Sequence, residues 1–258
     1  DKKAILIAKK FNLKCFSIID HWTWFRKRFE RGKDLLLPDK ILVNDSKAKN
    51  DAIKEGLPSE KIEILGNPVL ENHSIRSLKI HKKNNERIKI KHRNFSNQKF
   101  IFFISESLEE FRVNEDLLGF DEYIVFDLLK KYCKNSNSHL LIKPHPSDLK
   151  DKYGIPNKIF SYVENIEVDE MAILPHKIVG MGSMFLLELA IYRDDIISLR
   201  PNANSPFIGD LIDVTIAAND LNSLEEAMKS KARGLDQFRS NYIGSTRKIL
   251  DFLKSNSL

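Results

Sequence analysis

The sequence predicts an α/β protein of two doubly wound domains, the first incomplete and the second an open parallel sheet with helices on both faces. Three observations lead there. Short apolar runs such as Phe100–Ile104 and Leu140–Ile142 are bounded by Gly, Pro, Asn and Ser, as strands are. Helical segments separate these runs, and strand, helix, strand with short connections pairs the strands in parallel. Between residues 74 and 98 the composition turns basic, with few large apolar side chains, which marks a linker. Domains are therefore expected at 1–73 and 99–258.

The chain has 258 residues, enough for two modest domains with cores of their own. At 42% apolar and 30% charged, the composition is that of a globular protein rather than a disordered or fibrous one. No apolar run reaches the roughly 18 to 20 residues of a membrane span, and Asp1-Lys2-Lys3 lacks the apolar core of a signal peptide. Cys15 and Cys133 stand far apart and match neither a disulfide framework nor a zinc site, so a reducing cytoplasm is the expected compartment. The net charge of +6 comes from lysines interleaved with acids over most of the chain. That is the pattern of a solvated surface, and nucleic acid is not an expected partner.

In chain order, Lys2–Phe11 reads as the tail of a helix and Lys14–Ile19 as a buried strand ending at Asp20-His21-Trp22-Thr23-Trp24. The basic and aromatic segment Phe25–Phe29 follows as a loop or short helix. Lys40–Val43 is the next strand. Asp45 or Ser46 caps a helix to about Glu55 that Gly56 closes, and Lys61–Leu65 is a third strand halted by Gly66-Asn67-Pro68. A self-sufficient doubly wound domain has about five or six strands, so this part reads as the back half of a larger one. After the linker come the strand Phe100–Ile104, a helix Asp121–Lys134, and the strands Ser138–Ile142 and Lys158–Tyr162. A short helix Val168–Leu174, the strand Lys177–Val179 and the apolar helix Met184–Tyr192 follow. Strands Ile196–Leu199 and Asp213–Ile216 complete the sheet, and Leu221–Lys231 and Gln237–Lys254 close the domain as helices.

Two stretches organise the second domain. Lys143-Pro144-His145-Pro146 stops a strand, because proline cannot donate to the ladder and holds the residue before it extended. His145 thus stands off a strand end, which in an open α/β sheet is the ligand-binding edge, and Lys143 shares its face. Gly180-Met181-Gly182-Ser183 joins a strand to a helix with Ser183 as N-cap, and free N–H groups at a helix start favour a phosphate or diphosphate. Glu188, five residues past Ser183, is a candidate for a ribose diol. Ser105, at the end of Phe100–Ile104, is a further nucleotide candidate, and Tyr162 and Glu164 are candidates to flank the base or ribose. Asp194-Asp195 reads as a solvated helix end, and no metal is called for. In the first domain Asp20 and His21, beside Trp22 and Trp24, are the candidates for a general base on an acceptor hydroxyl. Asp45 is more simply a helix cap.

The succession of strand, Lys143-Pro144-His145-Pro146, strand, Gly180 to Glu188, strand, Arg200-Pro201 resembles the C-terminal domain of GT-B-fold enzymes. It is similar above all to bacterial capsule sialyl- and polysialyltransferases and to CDP-glycerol glycerophosphotransferases, and more distantly to UDP-N-acetylglucosamine 2-epimerases. Leu37–Lys40 and Lys61–Pro68 are similar to segments that close the N-terminal domain of these proteins, so the resemblance covers most of the chain. It implies two Rossmann-like domains of GT-B type and a metal-independent glycosyltransferase of surface-polysaccharide synthesis. Its substrates would be a CMP-, CDP- or UDP-linked sugar and a glycan or lipid-linked acceptor, with no separate cofactor. In those families the His-Pro histidine and a serine of a later Ser-Ser or Gly-Ser pair face the donor phosphate, which carries over to His145 and to Ser183 of Gly182-Ser183. Displacement at the anomeric carbon is the implied mechanism, with His145, Lys143 and the helix start stabilising charge on the departing phosphate. Two readings stand beside it: a UDP-N-acetylhexosamine epimerase or hydrolase, and a nucleotide-binding remnant without catalysis. The basic linker reads as a mobile tether or as a contact with an anionic acceptor or with lipid head groups at the inner membrane face.

Overall fold

The computed structural model describes residues 2–80, 99–108, 119–149, 151–163, 166, 168–172 and 177–256. Two compact units are formed, Asp1–Ile75 with Arg239–Leu258, and Arg76–Phe238. Most of the expected basic linker, residues 81–98, lies outside the described residues.

The first unit contains helices α1 (Lys2–Lys10), α2 (Phe25–Phe29), α3 (Ser46–Lys54) and α4 (Pro68–Ile80, entering the second unit at Arg76), and strands β1 (Phe16–Ile19), β2 (Glu30–Arg31), β3 (Asp34–Leu35), β4 (Lys40–Val43) and β5 (Ile62–Ile64). β1, β4 and β5 form a three-stranded parallel sheet with β4 in the middle, in register Ile18↔Leu42 and Leu42↔Glu63. Asp45 caps α3 by accepting the N–H of Ala48 at 2.8 Å.

Where a linker was expected from residue 74, the chain is still helical as far as Ile80. Pro68 pre-sets the first turn, Asn67 Oδ1 accepts the N–H groups of Val69 and Leu70, and Leu70, Glu71, His73, Ser74 and Ser77 are buried. The charged residues that read as a linker are good helix formers, so composition alone could not tell the two apart. The closing helix expected over Gln237–Lys254 is two helices, Leu235–Asn241 and Ser245–Asn256. Gly244 breaks it with a left-handed φ of +87°, sending its N–H to Glu71 Oε1 at 2.6 Å. From Arg239 onward these residues belong to the first unit, so the second ends at Phe238 and not at 258.

The second unit holds β6 (Phe100–Ile104), β7 (His139–Lys143), β8 (Phe160–Tyr162), β9 (Lys177–Gly180), β10 (Ile196–Leu199) and β11 (Ile216–Ala218). Its main helices are α5 (Glu122–Ser136), α6 (Val168–Ala172), α7 (Met184–Ala190), α8 (Ile208–Leu211) and α9 (Leu221–Ala227). The six strands pair in parallel in the order β11-β10-β9-β6-β7-β8. The chain therefore enters at the centre, winds outward through β7 and β8, and crosses back to β9. The winding reverses between β6 and β9, the position where open α/β sheets leave a crevice at their carboxyl ends. All five β6 residues are buried, and Phe103 packs with Val125, Leu129, Leu140, Ile142 and Val179. The last strand lies later than the expected Asp213–Ile216, because Asp213 is left-handed and the next two N–H groups turn back to Gly209.

Candidate active site at the carboxyl rim

Parallel pairing places the ends of β9, β6 and β7 on one rim. Ile104 stands opposite Lys143, and the N–H of Ser105 continues the ladder to the Lys143 carbonyl at 2.9 Å. Lys143 to His145, Ser105-Glu106 and Gly180 to Ser183, remote from one another in sequence, thus share the rim on both sides of the reversal. Lys143 Nζ lies 5.1 Å from the centroid of the Phe185 ring, in the first turn of α7. Glu188 follows one turn later on the same face of that helix as Phe185.

The turn expected to receive a phosphate is filled by the chain itself. Glu106 Oε1 accepts the N–H groups of Met181, Gly182 and Ser183 at 3.1, 2.7 and 3.0 Å. Ser183 does occupy the N-cap position, but its hydroxyl makes no capping bond, and its buried Oγ has no hydrogen-bond partner among the described residues. Burial pushes the Glu106 carboxyl above its ordinary range, against the pull of the three amides and of Arg200. Arg200, just past β10, packs its guanidinium 5.6 Å from the centroid of the Phe120 ring and donates to the Ser205 carbonyl at 2.8 Å. Its Nε has no partner among the described residues and lies 3.8 Å from where a Cβ on Gly182 would stand.

His145 is exposed and its backbone is pinned, its N–H going to Asp148 Oδ2 at 2.9 Å. Its Nδ1 lies 2.7 Å from the Ser147 hydroxyl and 3.3 Å from the Ser147 backbone nitrogen, contacts that orient the ring. Asp148 also accepts the Ser105 hydroxyl at 2.9 Å and Lys152 Nζ at 2.7 Å, and Lys152 lies 2.8 Å from Glu122. The side chains of Lys152, Asp148 and Glu122 are only 7%, 1% and 0% exposed, so this ion cluster is part of the scaffold under the His145 turn.

Several expected site residues have other employment. Ser105 is buried with its hydroxyl between Asp148 and Tyr153, bracing β6 against the His145 turn instead of facing a nucleotide. The Tyr162 hydroxyl accepts the N–H of Tyr153 and donates to the Gly154 carbonyl, which holds that turn in place rather than leaving the phenol for a base; Glu164 lies outside the described residues. In the first unit His21 Nε2 is 3.7 Å from Asp20 Oδ1; burial lowers the His21 pKa, Asp20 raises it and Arg28 lowers it. Trp22 is buried and donates its indole N–H to Asp45 Oδ2 at 2.8 Å, a core role and not a platform for a sugar. Asp194 pairs with Lys231 and Asp195 with Arg193. Among the described residues, no three His, Cys, Asp or Glu side chains gather as a metal ion would need, and no helix is long and apolar enough to cross a membrane.

Sequence reasoning gave no site role to Glu106 or Asp148, and named Arg200 only within the Arg200-Pro201 motif. Glu106 and Arg200 carried a signal, since Arg200 directly follows an apolar strand and Glu106 stands two residues past the end of another.

No known family model matches the sequence. A UDP-N-acetylglucosamine 2-epimerase of Methanococcus maripaludis is 25% identical over 266 residues, covering 95% of this chain and 69% of that protein. Among solved structures, the UDP-N-acetylglucosamine 2-epimerase of Rickettsia bellii superposes with a TM-score of 0.68 at 15% identity, over 99% of this chain and 71% of that one. The Methanocaldococcus jannaschii UDP-GlcNAc 2-epimerase, in complex with UDP-GlcNAc and UDP, gives 0.65 at 17% identity, over 98% and 72%. The fold is of the GT-B type. Within that GT-B fold the likeness runs to the epimerases, which the motifs had made the more distant resemblance, and gives no support to the sialyltransferase or CDP-glycerol transferase families.

Proposed function

We propose that the chain binds a UDP-linked N-acetylhexosamine at the carboxyl rim of its second unit and turns it over without an acceptor, as an epimerase or hydrolase. One observation carries this reading, the likeness to UDP-N-acetylglucosamine 2-epimerase along 95% of the chain. It favours epimerisation over the sugar transfer that the motifs imply. The rim offers what a diphosphate requires: the Lys143 ammonium, the Arg200 guanidinium and the exposed His145 imidazole. A diphosphate that used the amides of residues 181 to 183 would have to displace Glu106, so the reading rests on side chains. The Ser183 hydroxyl, unpartnered among the described residues, and Glu188 are the remaining contacts we assign to the nucleotide. A nucleotide sugar as partner and a cytoplasmic location belong to the same proposal.

The test is a thermal-shift series with UDP, UDP-GlcNAc, CDP and CMP on the wild type and His145→Ala, followed by NMR of UDP-GlcNAc incubated with the protein alone. The uridine ligands should raise the melting temperature by mass action and the substitution should shrink that rise. Acceptor-free conversion of UDP-GlcNAc should appear. Stabilisation by none of the nucleotides would remove the binding site, and binding without conversion would leave the chain a non-catalytic binder.

A further inference from the structure

We propose that the segment Trp24–Lys33 of the first unit is a docking surface for an anionic lipid bilayer. The proposal is independent of the nucleotide-sugar reading. α2 is fastened to its unit by Phe25 and Phe29, which are 0% and 2% exposed, while Lys27 and Arg28 between them face solvent. The β2–β3 hairpin that follows turns at Gly32, and every residue from Arg31 to Asp34 is exposed. The segment and its turn carry Arg26, Lys27, Arg28, Arg31 and Lys33 against Glu30 and Asp34. Arg26 is paired with Glu30 at 2.9 Å, whereas Lys27, Arg28, Arg31 and Lys33 have no ion pair among the described residues. The surface thus keeps an excess of uncompensated positive charge on an element held rigid from beneath.

Trp24 completes it. This residue is 39% exposed, with Lys27 Nζ 4.3 Å from its ring centroid, while its neighbours Trp22 and Phe25 are buried. Its backbone is left-handed, φ 61°, a conformation that a bulky side chain adopts only when its surroundings impose it. An indole beside unpaired lysine and arginine is the composition that settles at the head-group level of a bilayer. Each cation close to an anionic membrane strengthens binding about fivefold. A hairpin tip exposed at every residue suits a broad, yielding surface and not a small ligand that needs enclosure. Nucleic acid is the competing occupant, but it favours a groove with several stacked aromatics, and here one aromatic is exposed.

The experiment uses the full chain with phosphatidylcholine vesicles, with and without phosphatidylserine, read by co-sedimentation and by tryptophan emission. The sequence has two tryptophans, and only Trp24 is exposed. Binding should require phosphatidylserine, weaken with salt, and shift the emission to the blue, a shift that Trp24→Phe abolishes. Lys27→Glu/Arg28→Glu/Arg31→Glu should weaken binding by about a hundredfold or more at an unchanged melting temperature. If that variant does not fold, Arg31→Glu/Lys33→Glu at the hairpin tip should weaken it by at least about twentyfold. Equal binding to neutral vesicles, no binding to anionic ones, undiminished binding by the reversed-charge variants, or binding without a change in Trp24 emission would each overturn the proposal. So would tighter association with duplex DNA than with the anionic vesicles.

Discussion

Glu106 Oε1 accepts the N–H of Gly182 at 2.7 Å across 76 residues of sequence, and the N–H groups of Met181 and Ser183 converge on the same oxygen. Glu106, two residues past β6, is thereby tied to the turn that begins α7, at the one place where the winding of the sheet reverses. A carboxylate of the chain does for this turn what an external phosphate was expected to do.

Removing that acceptor should be felt in stability. Glu106→Ala leaves three amide donors without their partner, and a loss of about 1 to 3 kcal/mol is expected in urea denaturation. Glu106→Gln keeps an oxygen in place and should lose less. Equal stability of Glu106→Ala and the wild type would mean that water replaces the carboxylate at no cost.

Lys152 stands between two carboxylates, 2.7 Å from Asp148 and 2.8 Å from Glu122, all three side chains nearly inaccessible. Burial acts to lower its pKa, yet the two acids prevail and raise it, so the ammonium stays charged. Lys152→Met strands two buried negative charges, for an expected cost of about 3 to 5 kcal/mol. Adding Glu122→Gln should recover part of it in a double-mutant cycle. A cost under about 1 kcal/mol for the single change would place the cluster in contact with water.

The attachment of the last helix should respond to acid. Glu71 is buried, which acts to raise its pKa, but the Thr246 hydroxyl and N–H, the Gly244 N–H and Lys248 outweigh burial and hold it below the ordinary carboxylate value. A folded-state value below the unfolded one gives stability that is complete above the ordinary carboxylate range and is lost as pH falls through the depressed value. Melting temperature against pH should therefore drop on the acid side, and Glu71→Gln should flatten that limb. Parallel curves for the two proteins would rule Glu71 out as the group responsible.

Gly66 has φ +91°, and a Cβ there would fall inside Ser245 Oγ, whose own side chain holds the N–H of Asn67 at 3.1 Å. Gly66→Ala should cost at least about 1 to 2 kcal/mol from the left-handed backbone alone, with the clash in addition. Calorimetry of the purified variant measures it, and an unchanged melting temperature would show that the turn can relax.

Much of the fold was legible because its signals are local. Lys40–Val43, Phe100–Ile104 and Ile196–Leu199 are strands at the very residues where the apolar runs stand, since a strand covered on both faces needs an unbroken run. The end of the helix Pro68–Ile80 was hidden because Arg76 and Lys79 serve a helix as readily as a linker. Ser105 and Tyr162 looked available for a ligand because a sequence does not say which hydroxyls the fold already uses.

By itself the sequence determined roughly where most strands of the two parallel sheets lie, that they run parallel, and that Lys143, His145 and the Gly180 to Ser183 turn stand at strand ends on one rim, because hydrophobic periodicity and the conformational limits of Pro and Gly act over a few residues. Only the tertiary structure decided that Glu106 closes on the amides of that turn and that the chain's last helix returns to the first unit through Glu71 and Ser245. Those outcomes depend on which polar groups, 76 to 178 residues apart, the packed fold brings within about 3 Å of each other.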